Sequence, residues 1–236
     1  MAAGWDASAA AWIAHIGSEG DFGRVHILDA PMLARVRGRG FRTGLDVGCG
    51  EGRFCRMLAA EGIAMTGVDP VAALVKQAQA LHPEGRYIAA PAETMVVDAG
   101  GFDLVVSYLS LIDMPDLDAG VARMVAALRP GGTLLIANLN SFNTAGMPAS
   151  WRTSPTGERY FAIDHYLQER DVPAVWNGID VVNHHRPMMR YMQAFLGHGL
   201  QLVHFDEPAP GGGPAEKADR YRRVPYFHIM EWQRPA

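Results

Sequence analysis

One stretch limits what this chain can fold into more than any other: Leu45-Asp46-Val47-Gly48-Cys49-Gly50-Glu51-Gly52-Arg53-Phe54. An apolar run enters a loop with glycine at three alternate positions, and a helical pattern leaves it. Glycine lets the backbone turn tightly there and lets a ligand come close to it. The helix that follows presents its free backbone N–H groups to that ligand. Strand, glycine loop and helix in this order make a nucleotide-type pocket at the carboxyl end of a parallel strand.

The acids decide between ligands. The dinucleotide pattern G-x-G-x-x-G requires glycine where Arg53 stands, so that fingerprint is incomplete. Asp46 and Glu51 repel a pyrophosphate but suit a ligand bearing an ammonium and a sulfonium, and Glu51 competes with any anion for the helix dipole. Here the sequence resembles the small-molecule type of class I, Rossmann-like S-adenosylmethionine (SAM)-dependent methyltransferases, whose first motif reads acid-x-Gly-x-Gly-x-Gly. Asp46, Gly48, Gly50 and Gly52 match it position by position. The resemblance implies an α/β fold, a doubly wound and mostly parallel seven-stranded sheet with an antiparallel last strand. It also implies an N-terminal helical cover, an insertion after the fifth strand, SAM as cofactor and S-adenosylhomocysteine as product.

Composition is compatible with this. At 236 residues, 49% hydrophobic and 19% charged, the chain has the make-up of one soluble α/β domain. A net charge of −4 argues against a nucleic-acid partner, since phosphate binding wants a basic face. No apolar stretch approaches the ~20 residues that span a bilayer, and residues 1–21 do not read as a secretory signal. Cys49 and Cys55 are too few and too close for a disulfide framework, which fits a cytoplasmic protein. Cys49 reads as a small filler with its backbone at the ligand, with a catalytic thiol as the other reading. The expected organisation is one domain: a helical cover over 1–40, a cofactor-binding core over 41–139, a substrate lid over 140–186, and a C-terminal helix with an edge hairpin over 187–236.

Along the chain, two apolar sets at helical spacing precede the glycine loop, one around Trp12 and Ile16 and one from Ile27 to Val36, with Pro31 near the second helix's start. In similar methyltransferases an arginine in this region binds the cofactor's carboxylate. Arg24 is the candidate, and a surface salt bridge is its alternative. Asp69 ends the second strand pattern 21 residues after Gly48, the distance at which an acid meets a ribose, and Pro70 follows it. Asp69 can equally cap the helix that Pro70 opens. After the third strand comes Pro91-Ala92-Glu93-Thr94, standing where similar enzymes pair with the adenine edge. Pro91 replaces the usual acid, which leaves the Ala92 backbone and Glu93 as candidates; Glu93 also reads as a solvated loop charge.

The fourth strand, Phe102 to Ser107, runs into Tyr108-Leu109-Ser110, where acceptor and methyl group are expected to meet. Backbone carbonyls around Ser107 are candidates for the cofactor's ammonium. Tyr108 is either a substrate wall or core packing. The (Asp/Asn)-Pro-Pro-(aromatic) tetrapeptide of amino-methylating enzymes is absent from this position. Leu128-Arg129-Pro130-Gly131-Gly132 is the turn that similar methyltransferases place before the fifth strand. From 140 to 186 the pattern loses its rhythm and becomes aromatic, which reads as a functional lid. Trp5, Trp12, Tyr108, Trp151, His165, Trp176 and His185 are the candidate substrate-binding residues, with a satellite core as the other reading of the aromatics. Near the end, Pro208 to Pro214 reads as a mobile loop and Lys217 to Arg223 as a solvated basic one.

Methyl transfer expels a neutral thioether, so holding nucleophile, methyl and sulfur in line supplies most of the rate. A base helps only where the acceptor must lose a proton, and histidine suits that task near neutral pH. His185, His184 and Tyr108 are the candidate catalytic residues; orienting the lid is the alternative role for His185. No metal is expected, because the adjacent His184 and His185 cannot easily face one ion together with His165. The expected activity is methylation of an oxygen or nitrogen of a small, planar or apolar metabolite, with no nucleic-acid or membrane partner. Two rival classes stand beside it: a non-catalytic SAM- or S-adenosylhomocysteine-binding protein, and an NAD-dependent oxidoreductase.

Overall fold

Strand and helix alternate through the middle of the chain, as the hydrophobic periodicity predicts. A computed structural model describes residues 4–148 and 150–236. Strands β1 (Thr43–Val47), β2 (Ala64–Asp69), β3 (Arg86–Ala89), β4 (Phe102–Tyr108) and β5 (Leu128–Leu139) alternate with helices α3 (Arg53–Ala60), α4 (Ala72–Leu81) and α5 (Leu117–Ala127). All five strands are parallel. Asp116 starts α5 by accepting the Ala119 N–H at 3.0 Å. The sheet is completed by β10 (Gln201–Asp206) and β11 (Phe227–Gln233) in the order β10-β11-β5-β4-β1-β2-β3. The last strand is antiparallel to both neighbours. Neighbouring β1 and β4 carry their following helices on opposite faces, which opens the crevice where doubly wound sheets bind ligands.

Alternation along the strands feeds two cores. Leu45, Val105, Leu134, Ile136 and Trp232 pack with α5 and with α7 (Met188–Leu196) on one face. Leu104, Val106, Leu135 and Ile229 pack with α3 and α2 (Asp29–Ala34) on the other. A third cluster joins α1 (Trp5–Ile16) to Val71 and Leu74 of the α4 region and to Ala174, Ile179 and Val181. Among the described residues no helix is long and apolar enough to cross a membrane.

The structure adds detail at three places. Pro31 is the third residue of α2, near its start as expected, and a π-helical turn, Arg24–Leu28, runs directly into that helix. Proline cannot donate the usual backbone bond, and a widened turn just ahead of it absorbs the irregularity. Residues 140–186, the expected lid, carry their own secondary structure. They form α6 (Ser141–Gly146), a short hairpin of β6 (Trp151–Thr153) with β7 (Arg159–Phe161), and a longer one of β8 (Arg170–Trp176) with β9 (Ile179–His185). The turn of the longer hairpin is Asn177-Gly178, both with positive φ (46° and 80°), the geometry that matches the twist of a two-residue hairpin. The basic run forms α8 (Ala215–Arg223), which buries Ala218 and stacks Tyr221 on Tyr226; the glycine loop before it is tied down by Gly211 N–H donating to His26 O at 2.8 Å.

Candidate active site

Gly48, Gly50 and Gly52 all take positive φ (81°, 55° and 78°) in the turn from β1 into α3. Gly48 N–H and Cys49 N–H both donate to Val68 O, so the turn continues the β1–β2 pairing. Above it lies a cavity of about 350 Å³ at the carboxyl ends of β1, β2 and β4, within the range of small-molecule sites (roughly 300–1,000 Å³). A smaller annex of about 50 Å³, lined by Asp46, Cys49, Glu51 and Phe54, shares Trp12, Arg24, Gly48, Gly50 and Tyr108 with it.

Asp69 ties the floor together. Its Oδ2 accepts Gly50 N–H and its Oδ1 accepts Val71 N–H, each at 2.9 Å. The helix-cap reading does not hold, because Val71 is the N-cap of α4 and no side chain caps it; Asp69 braces the approach to that helix and lines the cavity. Each carboxylate oxygen still has a second lone pair for a hydroxyl donor. Burial pushes Asp69 up to about 6, against the pull of those two N–H groups. Burial likewise pushes Asp46 up to about 7; the Cys55 thiol, 3.5 Å from Oδ2, pulls it down, while Asp69 and Glu51 push it further up. Asp46 Oδ1 is buried without a partner.

The N-terminal segment closes the other side. Trp12 Nε1 donates to Glu51 Oε2 at 2.8 Å, joining α1 to the glycine loop. Arg24 projects from the π-helical turn, its guanidinium 4.9 Å from the Trp12 ring centroid and 5.5 Å from that of Tyr108. It pairs with Asp21 at 2.6 Å and lines both cavity and annex, so salt bridge and ligand wall are one arrangement. Arg53, the residue that breaks the dinucleotide fingerprint, grips Asp29 through two nitrogens (3.0 and 2.6 Å) and Glu19 O. It thus anchors the cover to the motif helix, a role no local pattern signals. The Tyr108 hydroxyl donates to the same Asp29 at 2.8 Å. Burial holds that phenol well above its ordinary pKa, and Tyr108 lines the cavity with its hydroxyl turned to Asp29.

The structure brings Trp5, Trp12, Arg24, Gly48, Gly50, Asp69, Pro70, Ala92, Glu93 and Tyr108 to the main cavity. Asp46 and Cys49 reach the annex. The Cys49 thiol is buried; contact with Cys55 lowers its pKa, but burial and the surrounding acids raise it more, which suits a filler and not a nucleophile. The Ser107 side chain is fully buried beneath Ser110, their hydroxyls 2.6 Å apart, and it does not reach the cavity.

Other candidates do not meet there. His185 is fully buried, with Nδ1 2.6 Å from Thr144 Oγ1 and Nε2 2.9 Å from Tyr166 O. Both ring nitrogens are engaged away from the cavity, and burial lowers its pKa. His184 holds Asp171 at 2.7 Å on the outer part of the hairpin, and His165 is exposed in a turn with φ 49°. Trp151 donates to the Tyr226 hydroxyl at 2.6 Å and packs on Phe161, within the satellite cluster beside α8. Trp176 packs edge-on to Trp5, behind the cavity wall. For these residues the alternative readings, lid orientation and satellite core, describe the geometry.

Sequence reasoning missed Asp113. It closes a single 3₁₀ turn, Leu111–Asp113, just after β4, and lines the cavity with Leu109, Ser110, Met114 and Pro115. The available signal was its position, a polar residue in the loop at a strand's carboxyl end. Asp6 and Val71 join the wall in the same unannounced way.

These residues fit SAM. Buried acids and aromatic faces suit its cationic groups, a bare glycine turn admits its backbone contacts, and Arg24 suits its carboxylate. Asp46 Oδ1, buried and unpartnered, marks an acceptor that lacks its donor.

Comparisons with known proteins agree. Residues 45–136 match the methyltransferase domain family. The malonyl-[acyl-carrier protein] O-methyltransferase of Salmonella typhimurium is 30% identical over 187 residues, covering 77% of this chain and 73% of that protein. Its namesake from Enterobacter lignolyticus is 30% identical over 51% of this chain but 48% of its own length. For most of the curated relatives it matches, the chain spans about half their length. The crystal structure of an S-adenosylmethionine-dependent methyltransferase from Mesorhizobium loti superposes with a TM-score of 0.80 at 25% identity, covering 92% of this chain and all of that one. Motif, sheet order, cavity and relatives converge: this chain belongs to the class I S-adenosylmethionine-dependent methyltransferases, and S-adenosylmethionine is its cofactor.

Proposed function

We propose that this protein methylates an oxygen or nitrogen of a small, planar or apolar metabolite, chiefly by proximity and orientation. The observation that carries this reading is the make-up of the cavity's lining. Gly48, Gly50, Asp69 and Ala92 supply a cofactor floor, while Trp5, Leu74, Met114 and Tyr108 supply apolar and aromatic walls beyond what a bare cofactor reader needs. When bound, SAM supplies an electrophilic methyl on a sulfonium whose leaving group is a neutral thioether. Asp69 would take the ribose hydroxyls, Ala92 N–H and Glu93 the adenine edge, Arg24 the carboxylate, and Asp46 with the glycine turn the cationic end. Trp12 and Tyr108, bridged by the Arg24 guanidinium, would shield the reacting centre from water.

The same reading divides the chain into a cover (1–40), a cofactor core (41–139), an acceptor-side insertion (140–186) and a closing helix with edge hairpin (187–236). Calorimetric titration with S-adenosylhomocysteine, followed by a methyl-transfer screen of small hydroxylated and N-heterocyclic compounds, tests it. Binding with transfer is the expected outcome. Binding without any transfer favours the non-catalytic alternative. No binding of SAM or S-adenosylhomocysteine at millimolar concentration refutes the assignment.

A further inference from the structure

We infer that Asp113 is the acceptor-facing base of this cavity, and that it selects acceptors entering as neutral O–H or N–H compounds over carboxylates; this rests on the methyl-transfer reading above. Two residues of the insertion, both at the end of β9, fix the group. Asn183 Nδ2 donates to Asp113 Oδ1 at 2.8 Å. Arg186, itself buried, donates to Leu111 O (3.3 Å), Met114 O (2.7 Å) and Pro115 O (3.0 Å), clamping the turn on both sides of Asp113. The Arg186 guanidinium, bonded to these carbonyls and 3.8 Å from Glu169, frames the turn and keeps its positive charge beside it. The buried Trp5 indole N–H lies beside the carboxylate but falls short of a hydrogen bond.

The charged groups around Asp113 are Asp69 from the end of β2, Arg24 from the π-helical turn, Asp6 from α1, Glu93 from the loop after β3, and Arg186 just after β9, held behind the turn by its carbonyls. Burial pushes Asp113 up to about 7; Trp5, Asn183 and Arg24 pull it down, and Asp69 pushes it up. A base is most effective when it titrates near the working pH. The wall also sets four acids, Asp6, Asp69, Glu93 and Asp113, against Arg24, so an anionic acceptor meets like charge. A carboxylate acceptor would have no proton to give and would be repelled. A neutral phenol, enol or ring N–H has one to give.

In the step inferred, the acceptor's proton passes to a carboxylate oxygen of Asp113. The freed lone pair forms the bond to the methyl carbon, and the carbon–sulfur pair stays on sulfur as a neutral thioether. The proton then leaves Asp113 for solvent.

The test uses the full chain saturated with S-adenosylhomocysteine, with phenol and benzoate as probes of like size and different charge. Phenol is expected to bind more tightly than benzoate by about tenfold or more, the result of a like-charge term near 1.4 kcal/mol. Benzoate affinity is expected to rise as pH falls through 7 in the wild type, and this rise to be reduced in Asp113→Asn. S-adenosylhomocysteine affinity stays unchanged in the variant. On any acceptor the wild type methylates, Asp113→Asn is expected to lower kcat about 10²–10⁴-fold. Benzoate binding as tightly as phenol, neither probe binding, an unaltered pH dependence in the variant, or an unaltered kcat would each overturn the inference. Failure of S-adenosylhomocysteine itself to bind would instead sink the methyl-transfer reading, and this inference with it.

Discussion

Gly48→Ala probes the point where the glycine turn and the loop after β4 touch. A Cβ at 48 would stand 2.7 Å from Ser110 Oγ and closer still to Ser110 Cβ. Ser110 cannot easily retreat, because its hydroxyl donates to Val47 O at 2.6 Å and lies 2.6 Å from Ser107 Oγ. Two costs therefore combine. Holding alanine at φ 81° costs about 1–2 kcal/mol. Forcing a methyl into a packed contact adds about 1–3 kcal/mol. The expected loss is about 2–5 kcal/mol, which for a chain of this size lowers Tm by about 4–20 °C.

Gly62→Ala is the internal control. It has φ 86° just after α3, but an added Cβ there meets nothing within 4 Å, so only the backbone cost of about 1–2 kcal/mol applies. Calorimetric unfolding of both variants, with S-adenosylhomocysteine titrations on each, separates strain from crowding. Ser110→Gly combined with Gly48→Ala should recover the steric part and leave the backbone part. If Gly48→Ala costs no more than Gly62→Ala, the close approach of turn and loop is not as described, and the argument that this position requires glycine for space fails.

Two further outcomes follow from the buried groups. Asp46 and Asp69, raised by burial to about 7 and about 6, take up protons as pH falls through those values, and a cation-bearing, ribose-bearing ligand needs them ionised. Affinity for SAM should therefore weaken from pH 7.5 to 5.5, with net proton release on binding near pH 6.5. Calorimetry in buffers of differing ionisation enthalpy reads this directly, and a pH-independent affinity would contradict it. His185→Ala removes a buried ring and strands Tyr166 O, while Thr144 Oγ1 keeps its bond to Ser141 O, for a loss of about 2–4 kcal/mol seen as a lower Tm. A large fall in turnover with no fall in Tm would return His185 to the chemistry.

The floor of the candidate site was legible because its signals are local. Asp46, Gly48, Gly50 and Asp69 lie within one strand–turn–helix–strand unit, and the φ values of the turn are what glycine at those positions permits. The elements inside the insertion were not legible as a periodic pattern, because their signals are short. Asn177-Gly178 marks a hairpin, and the β9 residues Ile179, Val181, Asn183 and His185 are buried in strict alternation. Reading 140–186 as one aperiodic segment averaged both away. Nothing local could have joined Asn183 to Asp113, 70 residues apart, or Arg53 to Asp29, 24 residues apart. Such pairs exist only once the sheet has brought its strand ends together.

That asymmetry bears on how the site is assembled. Its floor depends on neighbouring strands of the parallel sheet, with Gly50 in the turn after β1 and Asp69 at the end of β2. Its acceptor side is fixed from outside the sheet. β9 reaches Asp113 through Asn183 and frames its turn through Arg186, while the same hairpin packs on α1, where Ser8 exchanges hydrogen bonds with Asp180 and Trp5 meets Trp176. α1 in turn holds Glu51 of the glycine loop through Trp12. A closed circuit of contacts thus runs from cofactor loop to cover, to insertion, to the turn bearing Asp113. Changes in the length or sequence of the hairpin are expected to disturb the turn bearing Asp113 first and leave the Gly50–Asp69 contact in place, which thermal unfolding with and without S-adenosylhomocysteine would show.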